Sequence, residues 1–246
     1  MTRRILPAVL FLAALTCPFL WSQNLSAPEI LERVDRRINA PEDQEMEATL
    51  ILIDEKGNER TRVVQMYQKG DDRRLARFTE PADQRGIAML SLPGGNIYVY
   101  LPAYKKVKRI ASHVKNSRFA GTDFTYEDLE AKNYADTYTA SILRTQKDHF
   151  VLELVSEDRT SDYSKLVMWV RRDNFWADKI EFYNRADRLA KRLISSRIEQ
   201  IDGYWVAREQ EMVDLTRNHR TRMIMRDIHF DQGLSDELFT ERRLSR

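Results

Sequence analysis

The feature that most constrains this chain is a change of hydrophobic period at Met46, beyond which apolar residues recur at every second position. Met46, Ala48, Leu50 and Leu52 alternate with Glu47, Thr49, Ile51 and Ile53 until Asp54-Glu55-Lys56-Gly57-Asn58 turns the chain. A period of two is that of a strand with one face buried. Further strand-like runs follow at 62–68, 73–78, 87–92, 96–101, 104–110, 134–143, 150–156, 165–171, 179–183, 188–198, 204–215 and 221–230. Pro93-Gly94-Gly95, the 158–161 segment, Asn184-Arg185-Ala186-Asp187 and Asp202-Gly203 supply turns between them. Roughly ten to thirteen strands in succession imply a large antiparallel sheet, either a sandwich or a strongly curved open barrel. Charge on one face of many runs, with Met, Leu, Ile or Phe on the other, is what a one-sided sheet requires. Helical cover for the inner face is scarce. Ser26 and Glu29 have the spacing of a capping box ahead of Ile30, Leu31, Val34 and Ile38, and 235–239 reads as a short capped helix. A curved sheet covered so sparingly leaves an apolar hollow.

The N-terminus has a different character. Thr2-Arg3-Arg4 precedes an apolar run from Ile5 to Trp21 that contains Pro7 and Pro18, and polar residues begin at Ser22-Gln23-Asn24. That order is a secretory signal peptide, here residues 1–23, with a single β domain over 24–246. Cys17 is preceded by Ala14-Leu15-Thr16, a poor match to a lipid-attachment site, and is expected to leave with the leader, which would exclude disulfides and thiolate metal sites. Removing Arg3 and Arg4 leaves basic and acidic residues equal, at 38 each. The exported chain is then formally neutral, which disfavours nucleic-acid binding.

The most distinctive stretch is YVYLPAYKKVKRIASHVKNSRFAGTDFTYEDL, residues 98–129. Lys105, Lys106, Lys108 and Arg109 alternate with Val107 and Ile110, so part of this run is a strand with an exposed basic face. That face is either simply solvated or a docking surface for a charged partner. Gly121-Thr122-Asp123 can form a tight turn, and Thr122 or Asp123 can cap a short helix through Tyr126 and Asp128 to Leu129. Asp123, Glu127 and Asp128 lack the ligand spacing of calcium loops, so no metal site is expected. His113, His149, His219 and His229 are scattered, and no nucleophile elbow, phosphate loop or zinc motif occurs. A set of Ser112, His113 and Asp123 would need geometry to support it. The chain reads as a non-enzyme without a cofactor. Methionines are informative, because a flexible, polarizable side chain suits a surface that accepts irregular apolar ligands. By strand phase, Leu50, Leu52, Met66, Met89, Val99, Met168, Phe182, Met223 and Met225 are the candidate lining of the hollow.

Three strings carry a family resemblance. These are Ile97-Tyr98-Val99-Tyr100-Leu101-Pro102, the basic 105–110 run, and Arg118 through Leu129 with its Gly-Thr-Asp-Phe-Thr-Tyr-Glu-Asp-Leu core; Arg77 through Gly86 fits as well. In these the chain resembles the exported outer-membrane lipoprotein-sorting proteins, similar to the LolA carrier. Thr122 stands where that family commonly has serine. The resemblance implies a curved, incomplete antiparallel β-barrel of about 11 strands with short helices over its mouth. It also implies a monomeric periplasmic carrier of lipid or lipoprotein acyl chains, working with a resistance-nodulation-division (RND) type inner-membrane transporter. A non-transporting sensor or interaction module of the same fold, regulating a membrane protein, is the alternative reading.

Overall fold

A computed structural model describes residues 25–156 and 158–245; the expected leader and Cys17 lie outside them. The chain starts with helix α1 (Ala27–Ile38), then lays down β1 (Asp43–Ile53), β2 (Glu59–Lys69), β3 (Arg73–Glu80), β4 (Ala88–Leu92), β5 (Asn96–Leu101) and β6 (Lys106–Arg109). An irregular segment and a single helical turn, α2 (Tyr134–Thr137), lead to β7 (Tyr138–Thr145), β8 (His149–Ser156), β9 (Tyr163–Arg171) and β10 (Ala177–Asn184). β11 (Leu189–Ile201), β12 (Tyr204–Asp214) and β13 (His219–Phe230) complete the strands. Each of the thirteen runs read from the sequence contains one strand. The expected 104–110 run loses its start to a helical turn at Pro102–Tyr104, and 134–143 loses its start to α2.

All thirteen strands form one open antiparallel sheet in the order β6-β5-β4-β3-β2-β1-β13-β12-β11-β10-β9-β8-β7. The topology is two hairpin meanders joined at their centre by the β1–β13 pair, where Leu50 faces Met223 and Ala48 faces Met225. Local chemistry fixes the meanders. Asp54 Oδ1 accepts the N–H groups of Lys56 and Asn58, both at 2.9 Å, and Gly57 takes φ +83° to close the β1–β2 turn. Asp202 and Gly203 both have positive φ, as a two-residue hairpin turn needs.

Because β6 and β7 are the two outer edges, the segment between them must cross from one rim of the sheet to the other. It crosses the concave side and buries Phe119 and Phe124 in the main core. α1 lies beside it against α2 and β7, burying Ile30, Leu31 and Val34. The capping box is present: Ser26 N–H donates to Glu29 at 2.8 Å, and Glu29 N–H donates back to Ser26 Oγ at 3.4 Å. The cover of the hollow is therefore an irregular plug as much as it is helices. The outer face is one-sided except over β3–β5. There the C-terminal segment is strapped on by Asp43, whose two oxygens accept the N–H groups of Gln232 and Leu234 at 2.8 Å each, and it buries Phe239 and Leu244 on Leu75 and Leu90. Among the described residues no helix is long and apolar enough to cross a membrane.

Candidate functional site

The register of β1–β5 lays two parallel rows on the inner face. One is apolar: Met46 pairs with Met66, Met66 with Ala76, Ala76 with Met89 and Met89 with Val99. The next row, two residues along each strand, is polar: Gln44, Gln68, Arg74 and Ser91. Its members bond to one another and to the cover. Gln44 Nε2 donates to Gln68 at 3.0 Å, Gln68 Nε2 donates to Asn39 at the end of α1 at 2.9 Å, and Ser91 Oγ accepts Ala131 N–H at 2.9 Å.

These rows bound a cavity of about 260 Å³ whose far wall includes Ile180, Leu193, Ser195, Gln210 and Met223. α1 and the 128–134 segment close over it. A second, small cavity of about 50 Å³ shares part of this wall and is lined by Tyr163, Phe182 and Met212 among others. A larger groove of about 780 Å³ lies open on the outside, along α1, but half of the residues lining it are charged: Glu32, Asp35, Arg36, Glu42, Asp71 and Asp136. The inner cavity is the better candidate, because ligand sites are concave, mostly apolar and carry a few placed polar groups.

All nine residues expected to line the hollow fall in the inner-face core, but they divide. Met66, Met89 and Met223 line the larger cavity, and Phe182 lines the smaller one. Leu50, Leu52, Val99, Met168 and Met225 are buried in packed protein and touch neither space. Of the nine candidates, four therefore border cavity space and five sit in packed core. Phe119 and Phe124, the latter itself on the cavity wall, fill much of the space under the sheet, with Phe119 stacked on Phe78 at 5.4 Å.

The Gly-Thr-Asp string is the root of that plug. Gly121 has φ +76°, and Thr122 Oγ1 donates to the Phe119 carbonyl at 2.8 Å. The helix expected to run to Leu129 does not form. Asp123 is instead fully buried against β13, where its Oδ2 accepts His219 Nδ1 at 2.6 Å and Thr221 Oγ1 at 2.7 Å. Its backbone N–H donates to the same Thr221 oxygen at 3.0 Å. The cap in this motif is reciprocal and lies one turn later: Thr125 N–H donates to Asp128 Oδ2 at 2.8 Å, and Asp128 N–H donates to Thr125 Oγ1 at 3.2 Å. Asp128 also accepts Tyr163 Oη at 2.8 Å and pairs with Lys191 at 3.0 Å. Tyr126 lies 5.8 Å from the Phe119 ring. Ser112 and His113 are exposed, and Asp123 spends its carboxylate on His219 and Thr221, so the three do not assemble.

Burial perturbs several groups around this plug. Desolvation raises the carboxyls of Asp35 and Glu127, although Asp35 accepts the N–H groups of Tyr134 and Ala135 and Glu127 accepts Ser161 Oγ. Desolvation likewise pushes the Tyr134 hydroxyl up to about 12. No group of His, Cys, Asp and Glu among the described residues could hold a metal ion. Lys105, Lys106, Lys108 and Arg109 stand exposed on and beside β6, a sheet edge.

With this geometry in place, the comparisons are specific. A structure described as an outer membrane lipoprotein-sorting protein domain from Vibrio parahaemolyticus is 31% identical, covers 88% of this chain and 98% of its own, and superposes with a TM-score of 0.81. The chain belongs to the outer-membrane lipoprotein-sorting, LolA-like family. A DUF1329 family protein from Desulfovibrio piger matches this LolA-like chain at 28% identity and TM-score 0.83, over 88% of this chain and 97% of that one. A LolA superfamily protein from Nitrosomonas europaea matches at 25% identity and TM-score 0.76, over 89% and 99%. A family model described only as an uncharacterized protein matches residues 70–246. No curated protein matches the chain.

Sequence reasoning missed Arg74, which stands in phase with Ala76 and Phe78 and so points inward. The phase signal was hidden because Leu75, on the opposite face, is also apolar, being covered by the C-terminal strap. It missed Lys191 for a related reason, since Ala190 beside it is equally buried.

Proposed function

We propose that this LolA-like protein is a periplasmic carrier that holds a lipid or lipoprotein acyl chain in the cavity beneath its sheet and delivers it toward the outer membrane. The observation that carries the reading is the methionine-lined, partly closed cavity under a cover held by hydrogen bonds as well as by apolar packing. Each buried methylene contributes about 0.8 kcal/mol, so even a short chain is held usefully. Release requires the cover to move. Gln68–Asn39 and Asn39–Asn133 are hydrogen bonds that water can replace, which suits a lid that opens. An RND-type inner-membrane transporter is the proposed source of cargo, with the basic β6 edge as the docking face. The mature chain is proposed to begin near Asn24.

The test is native mass spectrometry of the protein purified from its own host, followed by lipid extraction. A carrier retains lipid in substoichiometric or full amount. A protein that emerges lipid-free and binds only a membrane-protein partner is the interaction module of the same fold instead.

A further inference from the structure

We infer that the cavity takes a single acyl chain ending in an anionic group, a carboxylate or a phosphate, which the guanidinium of Arg74 holds. This rests on the carrier reading and narrows it to one chemical class of ligand. Arg74 belongs to the polar inner row, in register with Gln68 and Ser91, and stands one step of about 7 Å along β3 from Ala76 of the apolar row. An amphiphile with its head at Arg74 would lay its first methylenes against Met66 and Met89.

The bonding around Arg74 points the same way. A guanidinium has five N–H donors. Here Nη1 donates to the Glu130 carbonyl at 3.1 Å, while Nε is buried and bonds nothing. No ion pair to Arg74 occurs among the described residues, although three acids line the same cavity. Each acid is committed elsewhere: Asp35 to two backbone N–H groups, Asp128 to Thr125, Tyr163 and Lys191, and Glu130 to Lys115 at 2.7 Å. Arg74 is half-buried, with Nε desolvated and unbonded, and Asp35, Asp71 and Glu130 attract it only from beyond ion-pair distance, so its charge is met less directly than is usual for a cation in such a place. A carboxylate or phosphate would satisfy it with two parallel bonds. The available space argues for one chain. At about 260 Å³ the cavity is less than twice the size of the roughly 150 Å³ apolar void that accepts a benzene molecule, and Phe119 and Phe124 occupy the room a second chain would need.

The experiment is isothermal titration of the delipidated protein with laurate, dodecyl phosphate, 1-dodecanol and a synthetic triacylated lipopeptide. On the unmutated protein, one or both anionic probes should bind at least about tenfold tighter than dodecanol, and which of the two binds tighter names the headgroup. Arg74→Gln should weaken the anionic probes about 10–100-fold and leave dodecanol unchanged, with Arg74→Lys recovering part of the loss. Equal affinity of the unmutated protein for laurate, dodecyl phosphate and dodecanol overturns the inference even if Arg74→Gln fails to fold. So does an equal loss of all three in the variant. If the lipopeptide binds and no single-chain probe does, the carrier reading stands and this inference falls. If nothing binds, the carrier reading itself falls.

Discussion

Replacing Asp123 with alanine tests whether the Gly-Thr-Asp string works as an anchor for the plug. Asp123 is wholly buried and its Oδ2 accepts two bonds, from His219 and Thr221. A hydrogen bond to a charged group is worth about 1.5–3 kcal/mol, so losing both removes about 3–6 kcal/mol. Against this, Asp123 Oδ1 is buried without a hydrogen bond, the nearest cation being Arg217 at 3.7 Å, and deleting it relieves about 1–3 kcal/mol of desolvation. The balance is a loss of about 2–3 kcal/mol, above the ~1 kcal/mol of the simple helix cap expected from the sequence. For a domain of this size that lowers Tm by about 4–12 °C. Thermal and urea unfolding followed by circular dichroism measure it. Asp123→Asn should be milder than alanine, because its amide oxygen can take the Oδ2 place and accept both bonds, losing their charge assistance and turning its NH₂ to the Oδ1 side near Arg217. A Tm within about 1 °C of the parent for both variants would refute the anchor and leave the motif as a plain turn.

Four further outcomes follow from the same structure. Reversing Lys105, Lys106 and Lys108 to glutamate should leave Tm and laurate affinity unchanged while slowing delivery to acceptor membranes in a salt-sensitive way, and a loss of laurate binding in the folded variant would move this face into the ligand site. Gly121→Val should cost about 1–2 kcal/mol in urea unfolding, since φ is +76° while the nearest atom to an added Cβ is 3.9 Å away, so the cost lies in the backbone rather than in a clash. Asp35 and Glu127, raised by burial, bind their protons more tightly folded than unfolded, so their contribution to stability falls as pH rises from the ordinary carboxylate value of about 4 up to their raised folded values. Asp35→Asn combined with Glu127→Gln should flatten the pH dependence of stability over that window, and an unchanged slope would contradict the assignment. Met66→Trp should fill the cavity and abolish laurate binding with little change in Tm, as read by titration and melting together.

The sequence by itself determined the strands, the turns and the inner face of most of the sheet. A strand's side chains alternate with period two regardless of where the strand is placed, so Ala48, Leu50 and Leu52 declare a common face before any partner is known. The α1 capping box and the Asp54 and Asp202-Gly203 turns are equally local, each fixed by atoms within a few residues. Only the tertiary structure decided what fills the hollow. Pairing β1 with β13 puts β6 and β7 at opposite rims, and that long-range closure forces the 110–137 segment across the concave side, where Phe119 and Phe124 fill much of the expected hollow with packed core. It also decided what Asp123 does, because Thr221 and His219 are about a hundred residues away and no local pattern announces them. Arg74 shows the limit most plainly. Its strand carries a buried apolar residue on each face, since the C-terminal strap covers Leu75 from outside, and period-two phase is a weak guide where both faces hold buried residues.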